Sequence, residues 1–125
     1  MQKFINGRVD ILLVSNSSLD LIRKSINSVL KQDYINWRLL IVDDFTCNKE
    51  LEKYFYQLSN SHDNILIFYN KKNLGLTQSL INLYCEIKSE FIARIDSGDI
   101  WSKTKLKKQV EFLNNNPKIG LIGTQ

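Results

Sequence analysis

The sequence is poor in the residues on which many catalytic and metal sites depend. Its one histidine, His62, lies in the polar stretch 59–64, so a Ser-His-Asp or Cys-His arrangement is not expected. The two cysteines, Cys47 and Cys85, lack the spacing of a metal site. We expect both to be free thiols in a reducing cytoplasm.

Long apolar runs and a strong excess of one charge are also missing. No run approaches the roughly 18 apolar residues of a membrane span, and residues 1–8 lack the apolar core of a signal peptide. We therefore expect a cytoplasmic protein. The formal charge of +4 is too weak and too scattered to indicate nucleic acid as a partner. It suits phosphates or a membrane surface, so peripheral membrane association stays open.

What the chain does contain is a regular alternation of apolar runs and amphipathic segments. Its 125 residues allow one domain with a substantial core. We predict strands at 9–14, 37–42, 65–69, 91–95 and 119–122. Helices are predicted at 19–32, at 48–58, from a Thr77 cap to about 87, and after Ser102 or Thr104. The pattern indicates an α/β fold with a doubly wound, mostly parallel sheet covered on both faces.

Two of the predicted strands end in acidic residues. Asp43 and Asp44 close the second strand, and Asp96 and Asp99 follow the fourth. In an open α/β sheet, ligands bind beyond the carboxyl ends of the strands. Carboxylates at that edge can hold a metal ion or contact the ribose or base of a nucleotide. The two acidic ends therefore suggest one shared crevice.

Five segments in order resemble the N-terminal half of family 2 glycosyltransferases, which are inverting nucleotide-sugar enzymes with the GT-A fold. The resemblance extends from Val9 to Gly123 and rests on Ser25–Tyr34, Leu40–Asp44, Asn73–Leu76, Glu90–Ile100 and Lys108–Gly120. It implies that residues 1–125 are a truncated, GT-A-like nucleotide-sugar-binding segment, the front part of a longer protein. That protein would transfer sugar from a nucleotide-diphosphate donor to a saccharide acceptor hydroxyl with inversion, as in cell-surface polysaccharide synthesis.

The resemblance also implies a role for individual residues. Asp44 would accept a hydrogen bond from the base of the donor, which we expect to be of the uridine type. Ser15 or Ser17 would replace a base-contacting hydroxyl that the family has at position 14. Asp96 would lie beside the ribose and, with Asp99, hold Mg²⁺ or Mn²⁺. Arg94 and Lys72 would contact the phosphates.

The chain departs from the family pattern in two ways that affect catalysis. The acidic loop has Gly98 where the family commonly has a metal-binding aspartate, so weaker metal affinity is expected. The family's catalytic base lies on a later segment that also builds the acceptor site. Nothing in 1–125 matches that base, so the sequence assigns no catalytic residue.

Two other interpretations compete with a transferase. Gly98 and the early stop favour a non-catalytic or degenerate nucleotide-sugar-binding scaffold. A phosphoacceptor receiver domain has a similar length, and its acidic pair resembles Asp43-Asp44. That pair should close the first strand, however, and a receiver has a lysine after the fifth strand, where this chain has Gly123-Thr124.

Overall fold

Four strands alternate with four helices in the computed structural model, which describes residues 4–123. In chain order the elements are β1 (Ile5–Ser15), α1 (Leu19–Leu30), β2 (Trp37–Asp43), α2 (Lys49–Ser61), β3 (Ile65–Tyr69), α3 (Leu76–Tyr84), β4 (Ser89–Arg94) and α4 (Lys105–Asn115). This order confirms the first four predicted strands and the four helices between and after them.

All three pairs of neighbouring strands are parallel, and the strand order is β3-β2-β1-β4. The chain moves outward from β1 to β2 and β3, then crosses back so that β4 lies on the other side of β1. Such a reversal leaves a crevice outside the carboxyl ends of the two strands that flank it. The predicted doubly wound parallel sheet is thereby confirmed.

The core has two layers because successive strand side chains point to opposite faces of the sheet. Ile11 and Leu13 of β1 lie on the face covered by α1, α2 and α4, in a cluster that includes Ile26, Phe55 and Leu106. Leu12 and Val14 lie on the other face, where they pack with Leu80 and Leu83 of α3. Helices therefore cover both faces, as predicted. Within residues 4–123, no helix combines the length and apolar character needed to cross a bilayer.

The third helix differs from its prediction at both ends. It begins at Leu76, after Gly75 in the N-cap position, so the proposed cap at Thr77 is wrong. It ends at Tyr84, because Glu86 and Ile87 donate backbone bonds to the carbonyls three residues earlier and tighten the chain into a turn. By contrast, Asn48 caps α2, and its side chain accepts a bond from the Leu51 amide at 3.1 Å.

The predicted fifth strand is wrong: residues 119–122 form no strand in the described part of the chain. Leu121 is 89% exposed, and residues 120–123 face β4 across a cavity of about 650 Å³ instead of pairing with it. The apolar run is interrupted by Gly120 and followed by Gly123, and glycine weakens a strand because it has no side chain to pack. Local hydrophobicity alone therefore overestimates the tendency of this segment to form a strand.

A buried carboxylate ties three strands together near the amino ends of β2 and β4. Asp10 of β1 is fully buried and accepts two bonds from the Arg38 guanidinium of β2, at 2.9 and 2.8 Å. It also accepts bonds from the Lys88 amide at 2.8 Å and the Ser89 hydroxyl at 2.7 Å. Each carboxylate oxygen therefore has two donors, which makes the buried charge tolerable.

Candidate functional site

The acidic residues singled out in the sequence all lie at the carboxyl edge of the sheet. Because the strands are parallel, Ser15 at the end of β1, Asp44 just beyond β2 and Asp96 just beyond β4 emerge on the same side. The Asp44 amide donates to the Ser15 carbonyl at 3.1 Å, which joins the first two strand ends. β1 lies between β2 and β4, so Asp44 and Asp96 leave the sheet about 10 Å apart, at two strand spacings.

Asp44 is only 3% exposed and fastens the loop that follows β3. One carboxylate oxygen accepts bonds from the Asn70 side chain (2.9 Å) and the Leu74 amide (2.7 Å), and the other from the Gly75 amide (3.0 Å). Burial raises the pKa of Asp44, but these hydrogen bonds outweigh it and hold the pKa below its ordinary value. Asp44 is therefore an ionised anchor, and a hydrogen bond from the Ser79 side chain also contributes to its lowered pKa.

The backbone at Gly75 explains why glycine stands in this loop. Its φ of 83° and ψ of 170° lie in a region that is essentially restricted to glycine. We predict that Gly75→Ala lowers the free energy of unfolding by about 1–3 kcal/mol, measured by urea denaturation.

Gly120→Ala is the matched control for Gly75→Ala. At both positions an added Cβ would meet nothing within 4 Å, but only Gly75 has a positive φ. Gly120→Ala should be neutral or slightly stabilising. Equal effects of the two substitutions would show that the Gly75 conformation is not the cause.

The 96–99 loop after β4 is held against α1 by a serine that the sequence analysis did not single out. The Ser25 hydroxyl donates to the Asp96 carbonyl at 3.2 Å and accepts a bond from the Gly98 amide at 2.8 Å. Gly98 has a φ of 91°, in the left-handed region that disfavours side chains. The available signal was a serine within the apolar stripe of a helix, at a position where burial requires a polar partner.

The carboxylates of this loop are differently placed for holding a cation. Asp96 is exposed at the side chain (57%) and pairs with Arg94 at 2.9 Å. Asp99 turns back, and one of its oxygens accepts the Asp96 amide at 3.3 Å. No group of three or more acidic, histidine or cysteine side chains among the described residues could hold a metal ion. To hold a cation, the two carboxylates of this loop would need further ligands from substrate phosphates and water.

Three buried hydroxyls at this edge have no hydrogen-bond partner within the described part of the chain. They belong to Ser15 at the end of β1, Thr46 after β2 and Ser97 after β4. The whole Ser15 residue is inaccessible to solvent. An unpaired buried hydroxyl costs free energy, so three of them beside the reversal of strand order are a reason to expect a polar ligand there.

The two candidate phosphate contacts lie on different parts of the edge. Arg94 ends β4 and is already paired with Asp96, whereas Lys72 is exposed in the loop that follows β3. β3 and β4 are the two outer strands of the sheet, three spacings or about 14 Å apart. The structure therefore places Ser15, Asp44, Arg94 and the 96–99 loop at the ends of three adjacent strands, β1, β2 and β4, and leaves Lys72 beyond β3 at the far end of the edge.

Comparison with known proteins identifies this architecture. The mannosyltransferase PcManGT from Pyrobaculum calidifontis, solved with GDP-Man and Mn²⁺, superimposes with a TM-score of 0.75, at 15% identity, over 84% of this chain and 32% of that one. The fold is that of the GT-A glycosyltransferases. Residues 11–125 match the family described as Glycosyl transferase family 2, and the chain belongs to that family.

Curated relatives give the same assignment. The chain is 35% identical to the bifunctional glycosyltransferase pgtA of Dictyostelium discoideum over 102 residues, which cover 79% of this chain and 13% of that protein. It is 33% identical over 108 residues to UDP-Glc:alpha-D-GlcNAc-diphosphoundecaprenol beta-1,3-glucosyltransferase WfgD of Escherichia coli, covering 86% and 42%. The family resemblance is confirmed and the receiver-domain interpretation is wrong. The chain spans less than half the length of either relative.

Proposed function

We propose that residues 1–125 form the donor-binding segment of a glycosyltransferase and take up a nucleoside-diphosphate sugar at the carboxyl edge of the sheet. The observation that carries this proposal is the unpaired, fully buried Ser15 hydroxyl at the end of β1, whose backbone carbonyl accepts the Asp44 amide. Both lie one strand or less from the point where the strand order reverses, the usual ligand position in open α/β sheets. Family membership and the GDP-Man complex of the structural neighbour support the same ligand class.

The base end of the donor would lie on the first two strand ends. The Asp44 carboxylate would accept the imide N–H of a uracil-type ring in exchange for one of its present donors. The Ser15 hydroxyl would then gain the partner that it lacks in the free protein. Because this hydroxyl is inaccessible, uptake of the base requires the short segment after β1 or β2 to open, and the new hydrogen bond offsets part of that cost.

The diphosphate end would lie at the 96–99 loop. Arg94 and, from the side of the edge, Lys72 would attract the phosphates, while Asp96 and Asp99 would hold Mg²⁺ or Mn²⁺ together with them. A divalent ion supplies charge neutralisation for a diphosphate leaving group. The two hydrogen bonds of the Ser25 hydroxyl would keep the 96–99 loop in place for this contact, and Ser25 itself would not touch the donor.

In the complete protein, we propose, the sugar passes to an acceptor hydroxyl with inversion, as part of cell-surface polysaccharide synthesis. The E. coli relative is named for transfer from UDP-Glc to a lipid-linked sugar. A single displacement needs a base that takes the acceptor proton as the hydroxyl attacks. This segment would orient the donor and stabilise the leaving group, and the acceptor and base would come from elsewhere in the protein.

One observation favours a non-catalytic binding domain instead. Gly98 has a positive φ, which disfavours any residue with a side chain. The metal-binding carboxylate that the family commonly has at this position is therefore absent. Metal-independent nucleotide binding, without any gain from Mn²⁺, would support this second function.

Ser15→Ala tests the base end of the site. We predict that it leaves the free energy of unfolding unchanged or raises it, because it removes a buried hydroxyl without a partner. Its affinity for UDP should nevertheless fall about 2- to 10-fold, the equivalent of one hydrogen bond, measured by calorimetry with or without Mn²⁺. Asp44→Ala is a poorer probe, because it also releases the three donors of the loop after β3.

Ser59→Ala is the control for the serine substitution. Ser59 lies near the far end of α2 and donates to the Tyr56 carbonyl, so its removal should leave UDP affinity unchanged. If UDP binds Ser15→Ala and wild type equally well, Ser15 has no role in the site.

A further inference from the structure

The positive charge of this chain is not scattered, as the sequence analysis expected, but is concentrated in one segment. Residues 100–118 contain a single glutamate and five lysines, namely Lys103, Lys105, Lys107, Lys108 and Lys118. Acidic and basic residues balance in the rest of the chain, so this segment accounts for the whole formal charge of +4. It includes α4 and begins immediately after the 96–99 loop.

The same segment exposes apolar side chains between its lysines. Leu106 and Val110 bury the inner face of α4, so Lys107 and Lys108 lie on its exposed part. Phe112, which is 41% exposed, follows Lys108 by four residues and is its neighbour on the helix surface. Ile100 is 68% exposed and lines one cavity of about 580 Å³ with Lys108. We call this surface, made of Ile100, Lys107, Lys108 and Phe112, the α4 surface.

Four contacts fix the shape of the α4 surface at its start. Lys103 pairs with Asp33 at 3.6 Å, and the Lys105 ammonium lies 5.5 Å from the centre of the Trp101 ring. The Gln32 side chain donates to the Ser102 carbonyl and accepts the Leu106 amide, which ties the beginning of α4 to the end of α1. The lysines therefore lie on a helix whose first turn is fixed to the rest of the domain.

We propose that the α4 surface docks the protein onto an anionic lipid bilayer. Lysines near such a surface each contribute about fivefold to binding, and exposed isoleucine and phenylalanine can enter the boundary between headgroups and acyl chains. Charge complementarity alone would also suit RNA. The apolar side chains between the lysines favour lipid, because desolvating them gains free energy only in an apolar medium. Since Ile100 follows Asp99 directly, the bilayer would lie beside the candidate donor site.

Sedimentation with vesicles tests the proposal on the 125-residue chain. The wild type should bind vesicles of phosphatidylcholine containing about a third phosphatidylglycerol, and bind pure phosphatidylcholine far more weakly. Replacing Lys107 and Lys108 with glutamine should weaken binding about 25-fold, which is two steps of about fivefold. Ile100→Ser should weaken it about tenfold, and this loss should persist at high salt because burial of an apolar side chain is not screened.

The matched control is the double substitution Lys49→Gln and Lys53→Gln on α2, which removes the same charge from another exposed helix. It should change binding less than about twofold, and circular dichroism should show every variant folded. Equal loss in both double variants would overturn the α4 surface. Equal binding to both vesicle types, or tighter binding to a single-stranded RNA than to anionic vesicles, would overturn the lipid partner.

Discussion

Replacing Asp10 with alanine should lower the free energy of unfolding by about 3–5 kcal/mol, measured by urea denaturation. The substitution leaves the largely buried Arg38 guanidinium without its counter-ion and removes the acceptor of the Lys88 amide. A domain of this size has a total stability of about 5–15 kcal/mol, so the loss is a large fraction of it. Asp33→Ala, which breaks the exposed pair with Lys103, should cost at most about 1 kcal/mol. Similar losses in both variants would contradict the role of the buried network.

The pH dependence of this loss gives an independent check on the same network. Burial raises the pKa of Asp10, but the Arg38, Lys88 and Ser89 bonds outweigh it and bring the pKa below the ordinary value of 3.8. A carboxyl with a lowered folded pKa contributes stability that is complete above its unfolded pKa. That stability is lost as the pH falls through the folded pKa. The advantage of wild type over Asp10→Ala should therefore be constant at neutral pH and shrink below about pH 4.

The 125-residue chain on its own should show no transfer of sugar from a nucleotide-sugar donor above the rate without protein. General-base help is typically worth about 10²–10⁴-fold, and positioning of the acceptor contributes more. Each of the four carboxylates at the carboxyl edge already has a hydrogen-bond or ion-pair partner within the protein, so none is a candidate for the base. Asp43 accepts the Thr46 amide, Asp44 holds the loop after β3, Asp96 pairs with Arg94, and Asp99 accepts the Asp96 amide.

A radiolabelled transfer assay measures this activity, with calorimetric binding of UDP to the same sample as the control for an intact site. Bound nucleotide without transfer is the expected outcome. Turnover at ordinary enzyme rates of about 1–10³ s⁻¹ would show that a base lies within residues 1–125 and that the donor-segment assignment is wrong.

The sheet could be predicted from the sequence because each inner strand is a nearly continuous apolar run. Ile11 to Val14 and Leu39 to Val42 are buried on both faces, and no other regular element of that length tolerates such a run between turn residues. The same criterion failed at residues 119–122. There the run is apolar, but it includes one glycine, precedes another, and remains exposed and unpaired. Whether a segment pairs depends on contacts with other strands, and a local pattern does not contain that information.

The candidate site could be predicted only as far as its position along the chain. Residues that end parallel strands necessarily share one edge, so the sequence was sufficient to group Asp44 and Asp96, whereas Ser15 was added by the family resemblance. It could not show that Asp44 is already engaged by the loop after β3, or that Ser25 holds the 96–99 loop. Those contacts join residues about thirty and seventy positions apart, and only the folded sheet brings them together.

Calorimetry of UDP binding, with and without Mn²⁺, tests the central claim that this edge binds a nucleoside diphosphate with a metal ion. The wild type should bind UDP more tightly when Mn²⁺ is present. Asp96→Asn should reduce this Mn²⁺-dependent increase in affinity at least about tenfold, while its affinity for UDP without metal stays unchanged. Asp33→Asn, also an ion-paired aspartate but remote from the edge, should behave as wild type. If UDP does not bind the wild type, or if Asp96→Asn keeps the full gain from Mn²⁺, the account is contradicted.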